Sequence, residues 1–246
     1  MRFLLYNVRY GAGVGPRFHL PLPYAGYFKR TTCNLECILS FIESVKPDII
    51  GLIEIDSGSF RSENVCQAEI IARQLGFFYV VESKYGSNRM VQHVPVLNKQ
   101  GNAVLTNREI LDHRFHYFRE GFKRLVIEVQ LPEVTVFLVH LSLTYRKRQH
   151  QLQRLFQLIQ KTEGPVIVGG DFNVFWGDRE LDLFLAASNL ISANGKGQPS
   201  HPSRAPKRQL DFILHSQELE VVNFSIPQVR YSDHVPLVCD LVLKGQ

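Results

Sequence analysis

The chain has 246 residues and carries 28 lysine and arginine residues against 23 aspartate and glutamate residues, a net charge of +5 with neutral histidines. Hydrophobic residues make up 45% and charged residues 21%, an ordinary globular composition that excludes a disordered or fibrous chain. The surplus of +5 is too small for a general nucleic-acid coat, although it is compatible with an anionic substrate.

Cysteine usage and the N-terminal segment bear on the compartment. The four cysteines are sparse and irregularly spaced, as is typical of free thiols in a reducing environment, so we expect a cytoplasmic protein. The apolar segment 1–6 reaches Asn7 and Arg9 too early for a signal peptide. No apolar run approaches the roughly 20 residues of a membrane-spanning helix, so we expect no transmembrane segment.

Apolar runs of strand length alternate along the chain with a few segments of helical periodicity. In chain order, the pattern predicts a strand at 3–8, a helix up to 45, a strand at 49–55, a helix at 66–75, and strands at 76–81, 103–106, 125–129 and 134–141. It then predicts a helix at 149–159, a strand at 166–168, a short helix at 178–187, and strands at 210–214 and 237–243.

Strands therefore outnumber helices, and their connections indicate a mixed sheet assembly. The runs 125–129 and 134–141 are joined too briefly for a parallel crossover, so we expect them to pair antiparallel. In the first helix, Leu35, Ile38 and Ile42 share one face, with Thr31 or Thr32 as the candidate cap. No repeat, low-complexity tract or linker divides the chain, so we expect one domain spanning 1–246, with helices outside the sheets.

The segment 9–29 departs from this pattern. It is rich in glycine, proline and aromatic residues and shows no stable periodicity. Long loops inside compact domains are usually functional or disordered, and the aromatic content argues against plain disorder. Two interpretations remain open: a packed surface loop, or a lid over a substrate.

Polar side chains recur at the ends of the apolar strands, where burial would be costly without partners. They are Asn7, Glu54, His140, Asp171, Asn173, Asp211, Asp233 and His234. Any one alone is explained as a turn former, a solvated strand end or a hydrogen-bonded core histidine. If they converge, they offer oxygen ligands to a hard divalent cation and imidazoles for phosphate chemistry.

Two short motifs carry most of this signal. In the segment 169–173, Gly169 and Gly170 predict a sharp turn after a strand, and Asp171 and Asn173 would share a face in an extended conformation. The carboxylate could orient or deprotonate a water while the amide donates to a phosphoryl oxygen, although the same letters also make a simple β-turn.

The second motif is the segment 232–237. Asp233 and His234 are adjacent, so the backbone must bend for both to reach one pocket, and Pro236 favours such irregular backbone. His234 would need a carboxylate to fix its tautomer, and Asp211 is the candidate.

Taken in order, seven such motifs resemble the endonuclease/exonuclease/phosphatase superfamily, the metal-dependent phosphoesterases with the deoxyribonuclease I fold. The motifs occupy residues 6–9, 51–56, 101–106, 139–141, 170–173, 209–213 and 232–234. The resemblance implies an α/β (α+β) four-layer sandwich, in which two packed mixed or antiparallel sheets carry helices on their outer faces. It also implies a site at one edge of the sandwich.

The resemblance assigns roles by position. Glu54 would be the principal ligand of Mg²⁺, with Mn²⁺ as an alternative, and Asn7 and Asp233 would lie close to the metal. Asp171 would orient or deprotonate the attacking water.

The remaining roles concern the phosphoryl group. Asn173 would hold its oxygen, while His140, and His234 oriented by Asp211, would stabilise charge or serve the leaving oxygen. Deoxyribonuclease-like members pair the histidine at position 140 with an upstream acid, for which Glu82 and Glu109 are the candidates. The segment 200–208 lacks the tryptophan of the apurinic-endonuclease branch, which argues against a base-excision repair enzyme.

Candidate substrate contacts leave the substrate open. One basic cluster follows His140 and another precedes Asp211, and either could hold a polyanion or be a solvated face. From these and the resemblance, the candidate contacts are Asn102, Arg146, Arg148, Lys207 and Arg208. We predict a Mg²⁺-dependent phosphodiesterase acting on nucleic acid or a phospholipid head group. The alternatives are a phosphomonoesterase acting on inositol or nucleotide phosphates, and a non-catalytic binding module on the same scaffold.

Overall fold

The computed structural model describes residues 1–14, 30–86, 94–119 and 123–245. Most of the segment 9–29 lies outside the described residues, so its assignment as a lid or a packed loop stays a prediction.

Twelve strands and four α-helices lie within the described residues. The strands are β1 (Arg2–Asn7), β2 (Ile49–Asp56), β3 (Phe78–Ser83), β4 (Gln100–Thr106), β5 (Asp112–Tyr117), β6 (Leu125–Gln130), β7 (Thr135–His140), β8 (Val166–Asp171), β9 (Ile191–Ser192), β10 (Asp211–His215), β11 (Leu219–Ser225) and β12 (Leu237–Leu243). The helices are α1 (Thr32–Val45), α2 (Gln67–Leu75), α3 (Tyr145–Ile159) and α4 (Asp182–Ser188). Single turns of 3₁₀-helix lie at Arg9–Gly11, Phe60–Ser62, Leu97–Lys99 and Asp178–Leu181.

The strands form two six-stranded mixed sheets. The first sheet has the order β11-β12-β1-β2-β4-β3, and the second has the order β5-β6-β7-β8-β10-β9. The predicted antiparallel pairing of β6 with β7 is confirmed. Each sheet also holds one parallel pair at its centre, β1 with β2 and β7 with β8.

Three apolar clusters hold the layers together. Phe3 and Leu5 of β1 pack with Val136 and Leu138 of β7 in the cluster between the two sheets. On the outer face of the first sheet, the cluster joins the strands to α1 and α2, and on the outer face of the second it joins them to α3 and α4. Two sheets covered by helices on both outer faces confirm the predicted four-layer sandwich.

Gly169 and Gly170 correct one prediction. Both lie inside the extended strand β8 rather than in a turn after it. A Cβ at Gly169 would lie 2.7 Å from Cε1 of Phe3 in the opposite sheet, and a Cβ at Gly170 would overlap the carbonyl oxygen of Val139 on the neighbouring strand. The two glycines therefore allow close packing of β8 against its neighbours.

Three strands, β5, β11 and the two-residue β9, were not predicted. All three are edge strands of their sheets, and many of their side chains are exposed or only half-buried. A strand with one neighbour and partial burial needs few apolar residues, so it leaves little signal in the sequence.

Candidate active site

The two parallel pairs bring four polar side chains to one edge of the sandwich. Asn7 ends β1 and Glu54 lies near the end of β2, while His140 ends β7 opposite Asp171 at the end of β8. Neighbouring parallel strands end at the same edge, so these side chains meet there. Three of them, Asn7, Glu54 and Asp171, line one cavity of about 500 Å³ together with Asn173, Asp233 and His234, and we call it the site cavity. His140 does not line it, but its Nε2 lies 3.3 Å from Oδ2 of Asp171.

Glu54 is held in the cavity by a bulge in β2. The pairing of β2 with β4 shifts between Leu52 and Ile55, and Glu54 adopts a left-handed conformation with φ of +58°. Its backbone N–H donates to Oδ1 of Asn102 at 3.2 Å. Left-handed backbone is costly for a non-glycine residue and persists where the surroundings impose it, which here turns the Glu54 carboxylate toward the site cavity.

Asn102 was expected to contact substrate, and the structure corrects this. Its side chain is fully buried beneath Glu54 and does not line the site cavity. It is therefore a positioning residue for the bulge of β2.

Asp171 receives several donors at one carboxylate oxygen. Its Oδ2 accepts from Nδ2 of Asn7 at 3.2 Å and lies 3.3 Å from Nε2 of His140 and 4.0 Å from Nε2 of His234. Burial alone would raise the pKa of this carboxyl, but the hydrogen bond from His140 and the charges of His140, His234 and Lys123 hold it well below its usual range. Asp171 is thus ionised at neutral pH and available to a water.

Asn173 follows Asp171 in a turn rather than in extended backbone, contrary to the prediction for this pair. Its φ is +53°, and its backbone N–H donates to Oδ1 of Asp171 at 3.0 Å. Its Nδ2 donates to the carbonyl oxygen of Leu141 at 2.9 Å, which fixes the amide at the wall of the site cavity.

His234 is tied to Asp211 beneath the site cavity. Nδ1 of His234 lies 2.7 Å from Oδ2 of Asp211, which also accepts from Oγ of Ser200 at 2.6 Å. Burial lowers the pKa of His234, but the carboxylates of Asp211, Asp171 and Asp233 outweigh it and raise the pKa to about 10. The imidazole is therefore protonated at neutral pH.

The pKa of His140 is shifted in the opposite direction from that of His234. Burial and the ammonium of Lys123, which contacts its Nε2, lower the pKa of His140 to about 4. Its Nδ1 is buried and has no hydrogen-bond partner among the described residues. The carboxylate of Glu82 instead accepts from the backbone N–H of Ser83 at 2.5 Å, and Glu109 is exposed, so neither candidate acid contacts the imidazole.

The prediction that Arg148 contacts the substrate is wrong. Its side chain is fully buried, where its guanidinium pairs with the Glu180 carboxylate and its Nη1 donates to the carbonyl oxygen of Ser142 at 2.8 Å. A guanidinium committed in this way anchors the start of α3 and offers no donor to a substrate.

The other basic residues remain on the surface. Arg146, Lys207 and Arg208 are exposed. Arg208 lies over the ring of Phe175 at 5.6 Å, and Phe175 lines the site cavity, so Arg208 stands at its rim.

Sequence reasoning missed six polar residues that line the site cavity. They are Tyr10, Lys84, Tyr85, Gln100, Lys123 and His201. Nζ of Lys123 lies 3.9 Å from Oε1 of Glu54, and the ring of His201 lies 4.7 Å from the ring of His234. The segment 200–208 already stood out in the sequence, whereas nothing in the sequence distinguished Lys84 or Lys123 from surface lysines.

The donor set of the site cavity fits a hard divalent cation. Glu54, Asp171 and Asp233 supply carboxylates and Asn7 supplies an amide oxygen, and Mg²⁺ needs only one or two carboxylates because it retains several waters. His234 also belongs to two groups of possible ligands, with His201 and Asp233 and with Asp171 and Asp211. Because Nδ1 of His234 is engaged by Asp211, the oxygen ligands are the stronger candidates.

Comparison with known proteins supports a common family. The sequence model of the endonuclease/exonuclease/phosphatase family matches residues 4–234. A UPF0294 protein of Yersinia pseudotuberculosis serotype O:1b (strain IP 31758) is 34% identical over 110 residues, covering 45% of this chain and 42% of that relative. The chain thus spans less than half the length of this curated relative.

Solved structures share the fold. The catalytic domain of human Nocturnin, which contains a bound sulfate anion, superposes with a TM-score of 0.71 at 21% identity, covering 99% of this chain and 93% of that chain. A mannosyl-6-phosphatase of Bacteroides thetaiotaomicron VPI-5482 superposes with a TM-score of 0.72 at 14% identity, covering 99% and 100%.

The helices of the described residues were also compared with the length and hydropathy that a membrane span requires. None of them is long and apolar enough to cross a membrane.

Proposed function

Because the chain belongs to the endonuclease/exonuclease/phosphatase family, we propose that it is a Mg²⁺-dependent phosphodiesterase that hydrolyses its substrate by metal-assisted attack of water. The observation that carries the proposal is one cavity lined by the carboxylates of Glu54, Asp171 and Asp233, the amides of Asn7 and Asn173, and the imidazolium of His234. The substrate class is a nucleic acid or a phospholipid head group.

The carboxylate of Glu54 would be the main ligand of the ion, and Asn7 and Asp233 would assist it. When bound, Mg²⁺ neutralises charge on the phosphate and polarises its bonds to oxygen. Few protein ligands are needed, since this ion keeps most of its water shell.

Asp171 is proposed to act on the attacking water. Asn7 donates to its Oδ2, Nε2 of His140 lies 3.3 Å from the same oxygen, and the surrounding cations keep the carboxylate ionised. An ionised carboxylate can orient a water and accept its proton as the bond to phosphorus forms.

Two donors are proposed to stabilise the phosphoryl oxygens. Asn173 offers an amide N–H, and His234 offers Nε2–H, because its Nδ1 faces Asp211. An imidazolium with a pKa of about 10 keeps its proton at neutral pH, so His234 acts by charge and hydrogen bonding. His140 is neutral there and completes the environment of Asp171.

A phosphomonoesterase is the second candidate. Lys84 and Lys123 line the same cavity, and their positive charge suits a phosphate with two negative charges. A binding module without activity is disfavoured, because the chain retains every acidic, amide and imidazole group that the reaction requires.

Hydrolysis tests this proposal directly. We expect the protein to hydrolyse bis(p-nitrophenyl) phosphate, EDTA to abolish the reaction, and Mg²⁺ or Mn²⁺ to restore it. Asp171→Asn should lower kcat by at least about 100-fold, the typical size of a general-base contribution. The matched control is Asp178→Asn, which changes an exposed carboxylate that does not line the site cavity.

The outcomes separate the candidates. Activity that survives chelation would overturn the metal mechanism, and a near wild-type rate in Asp171→Asn would remove this residue from the reaction. Faster turnover of p-nitrophenyl phosphate would favour the phosphomonoesterase. Binding without turnover on a panel of DNA, RNA, sphingomyelin, phosphoinositides and nucleotides would favour the binding module.

A further inference from the structure

Lys84 is a buried cation at one end of the site cavity. The residue is 7% exposed, and its Nζ donates to the phenol oxygen of Tyr10 at 2.5 Å. The ammonium also lies 5.1 Å from the ring centre of Tyr10 and 5.2 Å from that of Tyr85. Among the described residues, no carboxylate lies within ion-pair distance of it, since the ion pair nearest this end joins Glu54 to Lys123 instead.

Lys84 therefore has no directly paired carboxylate among the described residues, although the more distant Glu54 favours its charged form. Burial raises the pKa of Tyr10 well above its usual range, so its phenol is neutral and offers only a dipole. Burial also lowers the pKa of Lys84 to about 8, which leaves the amine mostly protonated at pH 7. A buried ammonium without an anion is costly, and an anion bound beside it would remove that cost.

A second cation faces the same region. The side chain of Lys123 is 19% exposed and its Nζ lies 3.9 Å from Oε1 of Glu54. Glu54 is the carboxylate that most favours the charged form of Lys84, whereas Lys123 opposes it, so the three groups lie within electrostatic reach of one another. Lys123 also contacts Nε2 of His140, so it lies between Glu54 and His140, whereas Lys84 lies on the Glu54 side of the site cavity.

The donors for the scissile phosphate lie elsewhere. In the proposed reaction the phosphoryl oxygens are bound by Asn173 and His234. Lys84 shares its end of the cavity with Tyr10, Tyr85 and Gln100. The hydroxyl of Tyr85 donates to Oε1 of Gln100 at 3.4 Å, so this wall of the site cavity is polar.

We propose that Tyr10, Lys84 and Lys123 form an anion subsite beside the hydrolytic centre, and that it binds a second phosphate group of the substrate. The inference rests on the proposed function for the position of the scissile phosphate. The preferred substrate is then a phosphoester that carries another phosphate, either next to the first, as in a pyrophosphate, or one sugar away, as in a nucleotide chain.

Binding to the metal-free protein in EDTA tests the subsite by calorimetry. Thymidine 3′,5′-bisphosphate is compared with thymidine 5′-monophosphate, and methylenebisphosphonate with methylphosphonate. We expect the doubly phosphorylated member of at least one pair to bind about 10- to 100-fold more tightly, the range of a charge-assisted hydrogen bond. The pair that shows the preference identifies the spacing of the two phosphates.

Variants test whether the preference for two phosphates comes from the proposed subsite. Lys84→Met should bring the affinity ratio of the preferred pair close to one, and Lys84→Arg should retain part of it. Lys244→Met, at an exposed position beyond the far end of β12, should leave the ratio unchanged. A wild-type protein without preference in either pair, or a preference that survives Lys84→Met, would overturn the proposal. If Lys84→Met does not fold, the wild-type comparison and Lys123→Met decide.

The measurement is independent of turnover, so the two proposals can fail separately. A preference for two phosphates in a protein that hydrolyses no phosphoester would leave the subsite standing and remove the enzymatic function. Hydrolysis of bis(p-nitrophenyl) phosphate without any such preference would do the reverse.

Discussion

At the residue scale, the two histidines beside Asp171 experience opposite electrostatic environments. His234 faces the carboxylates of Asp211 and Asp171, whereas His140 faces the ammonium of Lys123. Their pKa values are accordingly displaced in opposite directions, to about 10 for His234 and about 4 for His140. One fold thus holds one imidazolium and one neutral imidazole within reach of the same carboxylate.

These environments predict a distinctive titration. In ¹⁵N NMR spectra of the metal-free protein, the ring nitrogens of His234 should stay protonated from pH 6 to pH 9, while those of His140 should stay neutral down to about pH 5. Asp211→Asn removes the main partner of His234 and should lower the pKa of this imidazole. Titration of His234 near its ordinary value of about 6.5 in the wild-type protein would contradict this account.

The pair of His234 and Asp211 makes a pH-dependent contribution to the free energy of unfolding, and the pKa of His234 fixes its direction. The pKa of His234 in the folded chain, about 10, exceeds the unfolded value of about 6.5, so the folded state binds the proton more tightly. This contribution to the free energy of unfolding is fully present below pH 6.5 and is lost as the pH rises through 10. Denaturant unfolding from pH 6 to pH 10 should therefore show a loss that Asp211→Asn reduces.

At the element scale, the two glycines of strand β8 allow it to pack closely against its neighbours beside the candidate site. Gly170 pairs with β7 so closely that a Cβ would overlap the carbonyl oxygen of Val139, the residue before His140. Gly170→Ala must push β7 and β8 apart, which we expect to cost about 1–3 kcal/mol, in the range of other overpacked sites.

The separation of β7 from β8 should also affect the rate of the proposed reaction. His140 and Asp171 are register partners at the end of these two strands, so Gly170→Ala should lower kcat more than it raises KM. Gly195→Ala is the matched control, because a Cβ there meets nothing within 4 Å. Thermal unfolding and kinetics check both effects, and a Gly170→Ala protein with wild-type melting temperature and kcat would refute the role given to β8.

Some of these elements could be predicted from the sequence, whereas local features of the strands could not. The core strands and the long helices followed from apolar periodicity, because buried faces repeat every two or 3.6 residues. The bulge at Glu54 did not, because a register shift depends on the partner strand and not on local composition. The same holds for Gly169 and Gly170, which glycine preferences alone assigned to a turn.

At the scale of the whole molecule, the site joins the two sheets. Asn7 and Glu54 come from the first sheet, whereas His140, Asp171 and Asp211 come from the second. The polar residues at strand ends could be recognised in the sequence, since polar groups rarely follow apolar strands without a reason. Lys84 and Lys123 could not, because only the packing of distant segments turns a lysine inward.

A cation held between ligands from different parts of the chain should stabilise the entire fold. If Glu54, Asn7 and Asp233 bind Mg²⁺, a concentration of 100 times Kd adds about 2.7 kcal/mol to the free energy of unfolding. For a chain of this size, that corresponds to a rise in Tm of roughly 5–10 °C. Above Kd the rise should continue with the logarithm of the Mg²⁺ concentration, as expected for one site that binds only the folded chain.

Calorimetry or scanning fluorimetry across a Mg²⁺ series measures this shift. Glu54→Gln should remove most of it by deleting the principal carboxylate, whereas Glu163→Gln, at an exposed position outside the site cavity, should retain it in full. Equal shifts in both variants would place the bound ion away from Glu54. A wild-type Tm that does not respond to Mg²⁺ would contradict a metal held between the two sheets, because any ligand that binds only the folded chain must raise Tm.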